Sequence, residues 1–147
     1  VDTKTTLTAK KFAMHHNEVF TDEKIEPATT TTAPYDAFYT AAYAIIALGD
    51  EPVTGKSLSR TIMRLVPPGE PIEVGPANIY KATKLLRDGK NVDLIGAQTS
   101  LDFDPETGDP TIDSAIICLD SNTHTAIDSG LVYDVRAAKW SGVMNCP

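Results

Sequence analysis

Between Pro34 and Leu48 the chain carries Tyr35, Phe38, Tyr39, Ala41, Ala42, Tyr43, Ile45, Ile46 and Leu48, with almost no polar position among them. No other feature limits the fold so tightly. Pro34 opens this segment as a helix, since at the first helical position its missing N–H forfeits no bond; Asp36 in the first turn suits the positive end of the helix dipole, and Gly49 ends the run. A helix that is apolar all round has to be buried on all sides. The 147-residue chain must therefore wrap this helix with its own elements or take the cover from elsewhere.

The remaining pattern supplies three more helices. Leu7, Lys11, Phe12, Met14, Val19 and Phe20 fall at loose helical spacing and predict an amphipathic helix over 8–20. An irregular connection over 21–32 follows, with Pro27 and four consecutive threonines, Thr29 to Thr32. Leu58, Ile62, Leu65 and Val66 at i, i+4, i+7 and i+8 predict a short helix over 57–66, with Arg60 and Arg64 toward solvent and Pro67-Pro68-Gly69 as its stop. Ile79, Ala82, Leu85 and Leu86 share one stripe of a helix over 77–88 that closes at Gly89, a suitable left-handed C′ residue. Beyond it the period shortens to that of strands, over 92–97, 101–103, 112–119 and 131–135, with a polar turn at 105–109. The expected fold class is α/β with helices first and strands late. In a self-sufficient α/β domain strands alternate with the helices that cover them, so the sheet beneath these helices is expected to lie outside the chain.

Charge narrows the partners. Thirteen basic against twenty acidic residues leave a net charge of −7, and no Lys/Arg cluster stands ready to release counterions from a phosphate backbone. Neither nucleic acid nor an anionic membrane surface is expected as a partner. The longest apolar run, 41–48, falls far short of the roughly 20 residues that a membrane-spanning helix needs. No basic and apolar leader follows Val1, which points to a processed mature protein or a piece of a longer one.

Motifs that carry chemistry are few. Gly55-Lys56-Ser57 stands before a helix, but a phosphate-binding loop needs four residues between its glycines and a strand in front, whereas Gly49 to Gly55 leaves five and a helix precedes. Ser57 reads as a helix N-cap instead. Asp102, Asp104, Glu106 and Asp113 occupy positions 1, 3, 5 and 12 of a calcium loop, yet position 6 is Thr107 and strands flank the loop. A solvated hairpin turn demands the same residue types, and no bound metal is expected. His15 and His16 point about 100° apart on a helix and cannot share a metal as an i, i+4 pair would; His124 is alone. With no G-x-S-x-G turn and no Ser/His/Asp or Cys/His neighbourhood, neither enzymatic activity nor a cofactor is expected. Cys118 and Cys146 lack C-x-x-C spacing. Either they form one disulfide that pins the tail to a strand, implying an oxidising compartment, or both are free and Cys118 is a small buried hydrophobe.

In order and spacing these segments resemble a known family. Pro34-Tyr35-Asp36-Ala37-Phe38-Tyr39 opens the apolar helix; the short helix over 58–66, Gly75 and Leu85-Leu86-Arg87-Asp88-Gly89-Lys90 follow. Then come Val92-Asp93-Leu94-Ile95-Gly96-Ala97 and Leu101-Asp102-Phe103-Asp104-Pro105-Glu106-Thr107-Gly108-Asp109. The run resembles the C-terminal part of the type 1 periplasmic solute-binding proteins of the leucine/isoleucine/valine-binding kind, which feed ABC transporters. It extends from about Leu7 to about Tyr133 and corresponds to about the last third of a family member. The resemblance implies a two-lobed periplasmic or extracellular protein, with a lipid anchor as one option for the full length. Such a protein closes on an amino acid or related amide and delivers it to an ABC permease; a ligand-sensing ectodomain of a signalling receptor is the alternative with the same fold. By this analogy about 7–111 belongs to one lobe, 112–120 is the last hinge crossover, and 121–147 is a tail joining the other lobe. Thr30, Thr31 and Tyr35 match positions near the family's ligand cleft; as plain structure, the threonines are a solvated loop and Tyr35 a half-buried core residue. The tail over 139–147 departs from the family pattern. With its sheet absent, the chain is expected to associate with copies of itself.

Overall fold

The computed structural model describes residues 6–27, 31–104 and 106–146, and the chain parts into two compact units between Pro110 and Thr111. It is a mixed helix-and-strand α/β protein. The first unit runs α1 (Leu7–Val19), α2 (Ala33–Leu48), α3 (Gly55–Ile62), β1 (Glu70–Glu73), a 3-10 turn (Pro76–Asn78), α4 (Ile79–Arg87) and β2 (Val92–Ile95). β1 and β2 pair in parallel, Glu70 opposite Val92 and Ile72 opposite Leu94, with α4 as the crossover that a parallel pair requires.

Helices first and strands late does not hold, because β1 falls between α3 and α4. Its sequence hides it: Glu70, Pro71 and Glu73 leave Ile72 as its single apolar residue, although that residue is 1% exposed. The helix expected over 57–66 stops at Ile62, since Leu65 and Val66 are buried in the following coil. There the Arg64 and Leu65 carbonyls accept the N–H groups of Val92 and Leu94, both at 3.0 Å, and the coil completes one edge of β2. Arg64 does not face solvent. Its guanidinium donates to the carbonyls of Ala47 (3.0 Å), Leu86 (3.0 Å) and Lys90 (2.9 Å), placing a cation on the negative C-terminal ends of α2 and α4. Thr54, not Ser57, is the N-cap of α3; Ser57 occupies the third position of a reciprocal capping box with it. Gly89 ends α4 as the sequence suggests, at φ +76°, with Lys90 N–H returning to Leu85. No strand forms over 101–103: Leu101 N–H reaches Leu94 at 3.3 Å, and Phe103 makes only an isolated bridge with Pro110.

The core of this unit joins Tyr39, Tyr43 and Ala44 of α2 to Leu65, Ile72, Val74, Ala82, Leu86, Val92 and Leu94. α2 packs on α3 and α4, and that covers one side of it. The other side is left uncovered, in line with the apolar excess read from the sequence: Phe38 is 67% exposed, Ile45 44%, and Ala41 between them is exposed too. Two short helices and a two-stranded sheet do not supply enough surface to enclose a helix with apolar side chains all round.

The second unit is an antiparallel meander of β3 (Ser114–Asp120), β4 (Thr125–Asp134) and β5 (Lys139–Gly142), with a bulge between Ala115 and Ile117. The segment read as a hinge crossover is β3, paired along β4 from Asp120 opposite Thr125 to Ser114 opposite Tyr133. β4 begins well before residue 131, and β5, unanticipated, sets Trp140 opposite Tyr133. Among the described residues of this unit only Cys118 and Ser129 are buried. Cys118 and Cys146 are bridged, with Cα atoms 5.7 Å apart, and Asn145 N–H donates to the Ser129 carbonyl at 2.8 Å. Of the two alternatives for the cysteines, the structure has the disulfide.

Candidate functional site

In open α/β sheets, ligands sit outside the carboxyl ends of the parallel strands. Here those ends are Val74-Gly75 after β1 and Gly96-Ala97-Gln98 after β2, and both meet the first turn of α2. Asp36, 3% exposed, accepts the Ala97 N–H at 2.7 Å on one carboxylate oxygen and the Gln98 N–H at 2.8 Å on the other. Gln98 returns the tie: its side-chain carbonyl accepts the Thr32 N–H (3.0 Å) and the Thr32 hydroxyl (3.2 Å). A Cβ on Gly96 would lie 2.5 Å from the Asp36 carboxylate and 2.5 Å from the Thr99 carbonyl, so only glycine lets the loop come this close. On the β1 side, a Cβ at Gly75 would stand 3.3 Å from the Tyr35 hydroxyl.

α1 lies across the same strand ends. Thr6, its N-cap, accepts from Ala9 N–H (3.0 Å) and donates to the Ala97 carbonyl (2.8 Å), while Lys11 pairs with Glu73. Phe12 meets Tyr35 at 4.7 Å between ring centroids, and Tyr35, Tyr39 and Tyr43 then run along one face of α2 at 5.0 and 5.7 Å. This aromatic line leads from the loop ends into the core. Burial pushes the Tyr43 phenol up to about 12, with the neighbouring Tyr39 adding to it, and the Tyr43 hydroxyl has no hydrogen-bond partner among the described residues. Tyr35 is raised as well, by burial first and then by its hydrogen bond with Tyr39. The Asp36 carboxyl sits above its ordinary value, because desolvation raises it more than the two N–H bonds lower it.

Of the residues singled out from sequence, Thr30 lies outside the described residues. Thr31 is exposed on the connection into α2, and Tyr35 is half-buried beside Gly75. The structure thus brings Tyr35 to the strand ends. The residues that organise the mouth, Asp36, Thr32, Gln98 and Gly96, were not singled out; Asp36 reads in sequence as a helix-dipole residue and nothing local connects it to Ala97. Partial burial and the charge of Asp102 raise the Asp93 carboxyl, a pairing of acids equally invisible in sequence.

The turn at Asp104 and the two adjacent histidines are held by local contacts. Asp104 folds its own turn, one carboxylate oxygen accepting the N–H of Glu106 (2.7 Å) and Thr107 (3.1 Å). His15 approaches Glu18 at 3.4 Å, whereas His16 packs its ring on Phe20 at 4.7 Å. Among the described residues no three His, Cys, Asp or Glu side chains gather as a metal would need, and no helix is long and apolar enough to cross a membrane. Comparison of the chain with models of protein families, with characterised proteins and with solved structures finds no match.

Proposed function

We propose that this chain forms part of an extracytoplasmic solute-binding protein of the type 1 periplasmic kind, holding an amino acid or related amide for delivery to an ABC permease. The observation that carries the reading is the convergence of Gly75, the Gly96–Gln98 loop and the Tyr35 end of α2 at the carboxyl ends of a parallel strand pair, where small ligands bind in α/β folds. Tyr35 supplies a ring wall and a hydroxyl that stays protonated at neutral pH; Thr31 adds a hydroxyl on the approach. The Cys118–Cys146 bridge agrees with an oxidising compartment. In the protein expressed with its natural flanking sequence, a panel of free amino acids and amides is expected to contain members that raise the melting temperature. Tyr35→Ala should weaken the tightest of them about tenfold, or ~1.4 kcal/mol. A panel that leaves the melting temperature unmoved at millimolar concentration overturns the reading.

The same reading leaves α2 short of cover in this chain. Phe38, Ala41 and Ile45 form an exposed stripe at i, i+3 and i+7, and enclosing one large apolar side chain is worth about 1.5–3 kcal/mol. The isolated chain is expected to self-associate through this stripe, and Phe38→Glu with Ile45→Glu to shift it toward monomer in sedimentation at low micromolar concentration. A wild-type chain that sediments as a compact monomer refutes this.

A further inference from the structure

The outer face of α4 carries a charge opposite to that of the chain as a whole. Lys81, Lys84, Arg87 and Lys90 against Asp88 alone give residues 79–90 a net charge of +3, so the rest of the chain carries −10 and the sum is −7. Two of these cations are occupied, Lys81 by Glu70 (2.8 Å) and Lys84 by Asp88 (2.6 Å), but Arg87 has no carboxylate partner among the described residues. Ala82 and Leu86 turn the opposite face of the helix into the core. On the outer face two adjacent i, i+4, i+8 ridges, Ile79-Thr83-Arg87 and Tyr80-Lys84-Asp88, flank a shallow groove. Tyr80 is 89% exposed and Ile79 39%, a large aromatic and an aliphatic side chain left in water beside an unpaired guanidinium. Tyr and Arg are the residue types on which protein interfaces concentrate their binding energy.

We infer that this face of α4 is a docking surface for an acidic, apolar-bearing segment of a partner protein, which sets its aliphatic side chains against Tyr80 and Ile79 and a carboxylate on Arg87. Charge complementarity selects the partner: a basic or neutral segment gains nothing from Arg87, whereas a carboxylate offers it the planar two-oxygen partner that a guanidinium fork matches. Four cations, two already paired, are too few to hold a nucleic-acid backbone, and an exposed aromatic ridge suits a side-chain surface better. The site is separate from the strand-end mouth and does not depend on what binds there.

The test uses a fluorescein-labelled helical peptide of Glu-Glu-Leu repeats and its Gln-Gln-Leu counterpart, read by fluorescence anisotropy on the whole chain at low and high salt. The acidic peptide is expected to bind and the glutamine peptide to bind about tenfold more weakly, with the difference shrinking at high salt as exposed charges are screened. Arg87→Glu and Tyr80→Ser should each weaken the acidic peptide about tenfold while leaving the chain folded, since both side chains are exposed. Equal binding of the two peptides overturns the inference, as does indifference to both substitutions. Anionic phosphatidylserine vesicles or duplex DNA bound with the same dependence on Arg87 would show a general anion surface instead. Dimerisation lost in Arg87→Glu would show that the occupant is a second copy.

Discussion

Asp36→Ala is expected to cost the first unit about 3–5 kcal/mol, because each of the two hydrogen bonds to this carboxylate is worth about 1.5–3 kcal/mol and the Ala97 N–H is buried. Against the 5–15 kcal/mol that holds a typical domain together, that is a large share. Asp36→Asn, which keeps one acceptor oxygen, should lose less. Urea unfolding followed by far-ultraviolet ellipticity measures both, and an alanine variant within about 1 kcal/mol of wild type would mean that water restores the bonds. A pH dependence follows from the direction of the shift. The folded carboxyl holds its proton more tightly than the unfolded one, so the native state binds more protons and the group's contribution is greatest in acid. It is lost as pH rises through the folded pKa. The stability difference between wild type and Asp36→Asn should therefore shrink from below the ordinary carboxylate range toward neutrality; a constant difference would contradict this.

Loss of the Cys118–Cys146 bridge is expected to be as severe for the second unit. Closing a loop between residues 28 apart stabilises by about 3–4 kcal/mol in the chain-entropy model. The meander has little else, with Cys118 and Ser129 its buried residues among those described, and units below about 40 residues usually need such a staple. Trp140, the single tryptophan, stands 5.1 Å from Tyr133 on β4 and β5, so its fluorescence reports on this unit while helical ellipticity reports on the first. In Cys118→Ser/Cys146→Ser, or on reduction, the tryptophan transition should fall well below the helical one. An unchanged tryptophan midpoint would show that the strands hold by themselves.

Local residue pattern is enough for the four helices, the stop at Gly89, the strand character of β2, β3 and β4, and the excess of apolar surface on α2. Each rests on a signal repeated within a few residues: a 3.6- or 2-residue period, a proline, a glycine. Tyr35 was singled out only by the family resemblance, and the cysteine pair was narrowed to two alternatives. That Glu70–Glu73 is a strand comes from its packing, since three of its four residues are polar or proline and its pairing comes from β2. Packing likewise takes Arg64 from solvent to two helix ends, and Asp36 from a dipole residue to the clamp on Ala97 and Gln98. Those partners lie 61 and 62 residues away, and the preference of a carboxylate for a distant N–H leaves no trace in the residues beside it. A contact of that kind exists because packing has brought two segments together, and the packing is set by the whole core at once rather than by the stretch of chain that carries the side chain.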